Sequence, residues 1–505
     1  MSLDDLVLQK NIHIVPFSYP QDYAVARAAI SGITRKSSKG NEVTSWLQDI
    51  SQPTKLYQYV GNQFSSSQEN MAVCTKFNLS KDKLIRADQQ LPRDVDTPIK
   101  LISNNKEIGN LTIRDIGIYL FDLHVGFITI DLKVESNKTV IDEILKEIVE
   151  VNYYFKKFEY SNYYLEFTDK YKKSKDETVE ETTQVVLKDW IQNIVLLDGI
   201  TYFNNNGPDY SYPFINFCVK SKLEKDKLEE YLFYLRHSFK DTYLSNEKHE
   251  NDCNEIYQPF DYMYWGISTD ACCGIQYFVD DNTTNKFLEG LYYNNSTIDE
   301  NYLKVILLIQ FWKYASIQLT DKLQKLYLDE SICNQSVNAP DLCSINQLRE
   351  QFTLFRLKSF FSEASRVSQI NQFFKKLKEI HGINDIMEDT NEVLSTLDFK
   401  VNLIQERQLA VDREAASAKE KVEGKLESIK KEKTERLVFS LTLIFATIQA
   451  LSSAPGINEI TKSSFHIDLS SEIIKAGNIS ITGYICLTLG IFIIYLVVLL
   501  LYRKK

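Results

Sequence analysis

Cysteine, glycine and proline are all scarce in this 505-residue chain: eight Cys, 17 Gly and 10 Pro. The cysteines (Cys74, Cys218, Cys253, Cys272, Cys273, Cys333, Cys343 and Cys486) are spread over the whole length, unlike the dense framework of a small secreted domain, so reduced thiols are expected. So little Gly and Pro excludes a collagen-like chain or a linker array, and 12% aromatic residues excludes a disordered one. A formal net charge of -10 leaves no broad basic surface, and direct DNA or RNA binding is not expected. A basic, apolar leader is absent from Met1-Ser2-Leu3-Asp4-Asp5, which places the N-terminal bulk in the cytosol by expectation. Catalytic signatures are missing too: there is no phosphate-binding Gly loop, dinucleotide fingerprint, His-Glu-x-x-His or Gly-x-Ser-x-Gly, and the six His residues are not clustered, so no enzyme is expected.

What is present lies unevenly. Strand-like runs occur at Ile12–Phe17, Leu56–Val60, Met71–Leu79 and Ile99–Ile102, and a hairpin over Ile116–Val134 bends near Asp122–His124. Helical patterns cover Thr139–Phe158, Glu177–Leu197 and Lys225–His237, with further strands at Tyr212–Lys220 and Tyr262–Phe278. The first 297 residues therefore read as a mixed α/β sensor region, α+β or α/β in class, and residues 298–383 as helical.

A heptad follows. Met387, Leu394, Val401, Gln408, Ala415, Val422 and Ile429 recur every seven residues, with Thr390, Leu397, Ile404, Val411 and Ala418 between them. His381-Gly382 and Asn384-Asp385 supply a break and an N-cap, so residues 384–436 are expected to form a coiled-coil stalk helix. Residues 437–455 and the uncharged run 481–502 are expected to cross a membrane as a two-helix hairpin, with 456–480 as outer loop and 503–505 as a basic tail. Lys430, Lys431, Lys433 and Arg436 before the first span place both termini on the cytoplasmic side. Extending the heptad phase puts Ser440, Leu443, Thr447, Ala450 and Ala454 on the face toward an oligomer axis, as pore-lining candidates, with Asn458 and Glu459 at the outer mouth.

Two further clusters stand out. His249, Cys253, Cys272 and Cys273 are of ligand type but match no standard zinc spacing, so whether they hold a metal is open. The loop containing Asn204, Asn206 and Tyr210 offers amides and an aromatic face for a base, and His124 sits at the hairpin bend; these four are the ligand-binding candidates.

This order of cytosolic α/β region, stalk, span, loop and span resembles the CorA family of divalent-cation channels. That family carries Gly-Met-Asn after its first span, where this chain reads Ser452-Ser453-Ala454-Pro455-Gly456-Ile457-Asn458. In lacking that filter the chain is similar to a CorA-like branch found beside type III CRISPR systems. The resemblance implies a homo-oligomeric, pentameric channel in the bacterial inner membrane, in contact with lipid. It implies opening by a nucleotide second messenger, S-adenosylmethionine joined to AMP, as an antiviral effector that disrupts the membrane. A divalent-cation transporter with a divergent filter and a membrane-anchored scaffold are the alternatives.

Overall fold

The computed structural model describes residues 6–36, 42–49, 53, 55–64, 73–79, 99–138, 140–172, 178–195, 200–202, 210–240, 255–292, 297–328, 339–452, 472–476, 479–482, 490 and 492–496. They fall into two compact units, Met1–Val401 and Asn402–Lys505.

Strands of the first unit, in chain order, are β1 (Leu6–Ser18), β2 (Thr34–Lys36), β3 (Glu42–Thr44), β4 (Trp46–Asp49), β5 (Cys74–Leu79), β6 (Ile99–Ser103), β7 (Lys106–Phe121), β8 (Val125–Glu135), β9 (Tyr163–Lys172) and β10 (Thr178–Val186). After them come β11 (Thr201–Tyr202), β12 (Tyr212–Val219), β13 (Ile256–Phe260), β14 (Met263–Ile267) and β15 (Cys272–Tyr277). Thirteen of these strands make one sheet, ordered β10-β9-β6-β7-β8-β1-β12-β15-β14-β13, with β5 beside β7, β4 beside β5 and β11 beside β1. Among the described residues only the β12–β15 pairing within it is parallel; the other pairings are antiparallel.

Alternation along each strand feeds two cores. On β1, Val15 and Phe17 enter one core while Leu8, Ile12 and Ile14 enter the other; on β8, Ile128, Ile130 and Leu132 oppose Val125 and Phe127. The first core is closed by the helices Ile141–Lys156, Leu187–Gln192 and Lys225–His237. The second is closed by Asn282–Tyr292, Leu303–Leu328 and Ser368–Ile380, together with the start of the long helix Ile383–Ser452. The sheet is thus the middle of three layers. Its longest hairpin, β7–β8, turns through Leu123 and His124, both left-handed at φ 60° and 64°, the positive-φ pair that a tight right-twisting hairpin needs.

A buried polar device pins the first core. His13 on β1 lies 2.8 Å from Ser211 Oγ through Nδ1 and 2.8 Å from Asn152 Oδ1 through Nε2. Asn152 already donates its amide to Ile148 O, so its oxygen accepts from His13 Nε2–H and His13 Nδ1 accepts from Ser211. Burial holds this imidazole neutral, with its pKa lowered to about 3.

Three expectations are corrected. Glu177–Leu197 is not one helix: Thr178–Val186 is β10, paired with β9, and only Leu187–Gln192 is helical. Thr178, Val179, Thr182, Thr183, Val185 and Val186 are β-branched, and a sheet edge was available to them. Leu56–Val60 is likewise no strand, since Gln58–Gly61 is a short helix.

The third correction concerns the fold class. The chain is a mixed α/β protein with a long helix, and no helix among the described residues is long and apolar enough to cross a membrane, so the two-helix transmembrane hairpin is not seen. The expected first span is the end of the 70-residue helix Ile383–Ser452. Its apolar stretch follows directly on Lys430, Lys431, Glu432, Lys433, Glu435 and Arg436 and is broken by Ser440, Thr442, Thr447 and Gln449. The expected second span begins in a strand: Ile481 and Thr482 belong to β17 (Ile479–Thr482), antiparallel to β16 (Glu472–Ala476). Apart from residue 490 and Phe492–Leu496, the remainder of Ile481–Tyr502 lies outside the described residues. Multi-pass placement in the bacterial inner membrane and the membrane-protein, transmembrane and ion-channel descriptions rested on those spans and fall with them.

Candidate ligand-binding site

The sheet face that carries the second core changes character along its strands. Phe121, Tyr119, Phe127 and Ile14 give way to Gly117 and Asp115 on β7, Thr129 and Asp131 on β8, Lys76 and Asn78 on β5, and Lys10 on β1. Register brings these together: Asn78 is opposite Gly117, Gly117 opposite Thr129, and Asp115 opposite Asp131. They floor a cavity of about 630 Å³, with Tyr292, Asp299, Glu300 and Leu303 on the opposite wall. That volume lies within the usual range for small-ligand pockets, about 300–1,000 Å³. Gly117 keeps the floor open: a Cβ there would lie 2.7 Å from Thr129 Oγ1 and 3.8 Å from Asn78 Oδ1.

Charges of both signs line the cavity. Lys10 bonds Asp299 and stands 3.8 Å from Asp131 Oδ2. Lys76 pairs with Asp49 at 2.8 Å and lies 5.7 Å from the centroid of the Tyr119 ring, while Arg114 donates to Gln9 O. Burial raises the Asp131 carboxyl to about 6; Lys10 and Arg114 pull it down and Asp299 and Asp115 push it up. Two buried acceptors on this face, Asp131 Oδ1 and Asn78 Oδ1, have no protein partner among the described residues. Unpaired buried acceptors are costly, and a bound donor relieves that cost. The cavity thus presents cations for an anionic group and open acceptors for an ammonium or N–H group. Among its described lining residues there is no nucleophile paired with a base.

The residues singled out from the sequence lie elsewhere. His124 occupies the β7–β8 turn, its Nδ1 3.1 Å from Gln21 O, and burial and the Lys322 charge lower its pKa. Tyr210 is exposed, with Lys156 Nζ 6.0 Å from its ring centroid. Asn204 and Asn206 lie outside the described residues, as do Ala454, Asn458 and Glu459. Ser440, Leu443, Thr447 and Ala450 are all on the long helix, where Ser440 donates to Arg436 O at 2.8 Å and Thr447 to Leu443 O at 3.0 Å. Those hydroxyls serve their own helix backbone. Cys272 and Cys273 are buried free thiols on β15, and His249 and Cys253 lie outside the described residues. Among the described residues no group of three or more His, Cys, Asp or Glu side chains is placed to hold a metal.

Sequence reasoning missed the cavity. A signal for it existed: Lys10 interrupts the apolar face Leu8, Ile12, Ile14, and Asp131 continues the face begun by Val125 and Phe127, so each puts a charge where alternation calls for core.

The chain matches no family model and no curated protein. Among the described residues the first unit is a mixed α/β domain whose sheet face holds a charged cavity.

Proposed function

We propose that the first unit is a receptor for a small polar ligand that carries both an anionic and a cationic group, and that occupancy of the sheet-face cavity is relayed to the long helix. The observation that carries this is the pair of open, buried acceptors, Asp131 Oδ1 and Asn78 Oδ1, in a cavity that also presents Lys10, Lys76 and Arg114. A nucleotide second messenger such as S-adenosylmethionine joined to AMP fits that chemistry, with a phosphodiester for the cations and an ammonium group for Asp131.

A physical path supports the relay. Leu303 lines the cavity and begins the helix Leu303–Leu328. The same helix meets the segment around the long helix start at Gln310 with His381 (3.4 Å), Ser316 with Met387 Sδ (3.1 Å) and Thr320 with Thr390 (2.9 Å). The long helix carries one heptad seam in two settings: Met387, Thr390, Leu394 and Val401 are buried, whereas Val411, Val422 and Ile429 are exposed. A second copy of the chain is the partner such a seam recruits, and ligand-dependent self-association is the proposed output. A conducting pore forms no part of this proposal.

Isothermal titration of the full chain with S-adenosylmethionine, AMP and their conjugate tests the receptor. Saturable binding weakened about tenfold or more by Asp131→Ala and Lys76→Ala is expected, since each removes a charge-assisted contact of about 1.5–3 kcal/mol. Binding unaffected by both substitutions would exclude the cavity.

A further inference from the structure

On the other side of the sheet, seven side chains meet near the C-terminal end of the helix Ile141–Lys156. Tyr153 and Tyr154 come from the helix, Lys157 and Tyr160 from the turn after it, Tyr163 from β9, Tyr210 from just before β12, and Lys240 from beyond the helix Lys225–His237. The rings form a continuous series: Tyr153 to Tyr154 at 5.4 Å, Tyr154 to Tyr163 at 5.2 Å and Tyr163 to Tyr160 at 5.5 Å between centroids. Tyr160 and Tyr210 are the outermost, at 39% and 42% exposure.

Two ammonium groups share one of these rings. Lys157 Nζ is 4.0 Å and Lys240 Nζ 4.7 Å from the Tyr153 centroid. Each donates to a tyrosine hydroxyl, Lys157 to Tyr153 at 2.7 Å and Lys240 to Tyr154 at 2.6 Å. Among the described residues neither makes a salt bridge: Glu150 acts on Lys240 only at longer range, Glu159 pairs with Lys188 at 3.2 Å, and Asp270 pairs with Lys156 at 2.9 Å. An anion reached by both ammonium groups gains from both charges. Exposed tyrosine faces beside such a cation pair accept a flat base by stacking.

We infer that this tyrosine–lysine shelf binds a nucleoside phosphate, its base on the exposed rings of Tyr160 and Tyr210 and its phosphate between Lys157 and Lys240. The shelf belongs to the first core's side of the sheet and the cavity to the second's, so the inference stands whether or not the cavity holds a ligand.

The test titrates AMP, adenosine and inorganic phosphate into the full chain carrying Asp131→Ala, which disables the cavity. Saturable AMP binding is expected to persist there, tighter than that of adenosine or phosphate alone. Adding Tyr160→Ala or Tyr210→Ala should weaken it by about 5- to 150-fold, the range for loss of one base–aromatic stack. Lys240→Gln should weaken AMP while leaving adenosine unchanged. Because Tyr160 and Tyr210 are surface residues, unchanged circular dichroism shows that each variant folds. A 5′-phosphorylated oligoadenylate identifies the source: tighter binding than AMP assigns the shelf to an RNA end, equal or weaker binding to a free nucleotide. Absence of saturable AMP binding, or equal affinity in all the shelf variants, overturns the inference.

Discussion

Asp131 gives the sharpest test of the cavity, because its charge is penalised before any ligand arrives. Its carboxyl is raised from 3.8 to about 6, first by burial. Below pH 3.8 the folded and unfolded chains both hold this proton and it contributes nothing to pH dependence. Between pH 3.8 and 6 the unfolded chain has released the proton while the folded chain still holds it, so stability falls by about 1.4 kcal/mol per pH unit. Above pH 6 the loss is complete at about 3 kcal/mol, taking the shift from 3.8 to about 6. Asp131→Asn keeps the shape and removes the ionisation. The variant should match the wild type near pH 4 and exceed it in stability by about 2–3 kcal/mol at pH 7.5. Urea unfolding of both proteins at half-unit pH intervals measures the difference, and titrating groups that do not interact with Asp131 cancel between the two chains. A stability difference that stays constant from pH 4 to 7.5, or a wild type more stable at pH 7.5, would refute a carboxyl held out of water here. An ammonium group bound beside Asp131 should restore its ionised form, so ligand affinity is expected to rise with pH through 6.

Other consequences are equally direct. His13→Ala removes two buried hydrogen bonds and leaves Asn152 and Ser211 without their partner, an expected loss of about 3 kcal/mol in chemical denaturation; a loss under 1 kcal/mol would mean that the trio is not formed. Gly117→Ala forces Thr129 to move, since the new Cβ falls 2.7 Å from its hydroxyl, and should cost about 1–3 kcal/mol and weaken cavity ligands; unchanged affinity would place the ligand elsewhere. A double-mutant cycle of Thr320→Val and Thr390→Val, whose hydroxyls are 2.9 Å apart, should give a coupling of about 1 kcal/mol in stability, and zero coupling would break the relay at that step. Val422→Lys with Ile429→Lys introduces charge at exposed seam positions and should lower the sedimenting mass of the full chain; an unchanged mass would show that the seam is not the contact between copies.

Much of the fold could be read from periodicity, and the exceptions have identifiable causes. The hairpin at Asp122–His124, the helices near residues 139–158 and 225–237, and the break at His381-Gly382 all follow local rules: alternation, amphipathic spacing, and a glycine that takes φ 58° between two helices. Thr178–Val186 was misread because Glu177, Glu180 and Glu181 suit a helix, whereas its six β-branched residues pair it as a hairpin with the strand just before it, Tyr163–Lys172. The spans failed because a hydrophobic run reports apolarity and not conformation: Ile481 and Thr482 joined a strand, and the run from Leu437 stayed continuous with a charged helix. The cavity was illegible for a third reason. Lys10 and Lys76 are the lone charges of their strands, Asp115 and Asp131 stand among other charges of theirs, and only register across β5, β7, β8 and β1 makes the four a site.

The cavity occupies a stretch of sheet face that elsewhere is filled by the second core. In thermodynamic terms it is an incomplete portion of the folded interior, and whatever occupies it takes part in folding. A ligand present at a hundred times its dissociation constant adds about 2.7 kcal/mol to the stability of the form that binds it. Heat denaturation of the first unit is therefore a detector that presupposes no activity: a metabolite library scored by melting temperature will single out the molecule that completes the interior, and Gly117→Ala should silence that response.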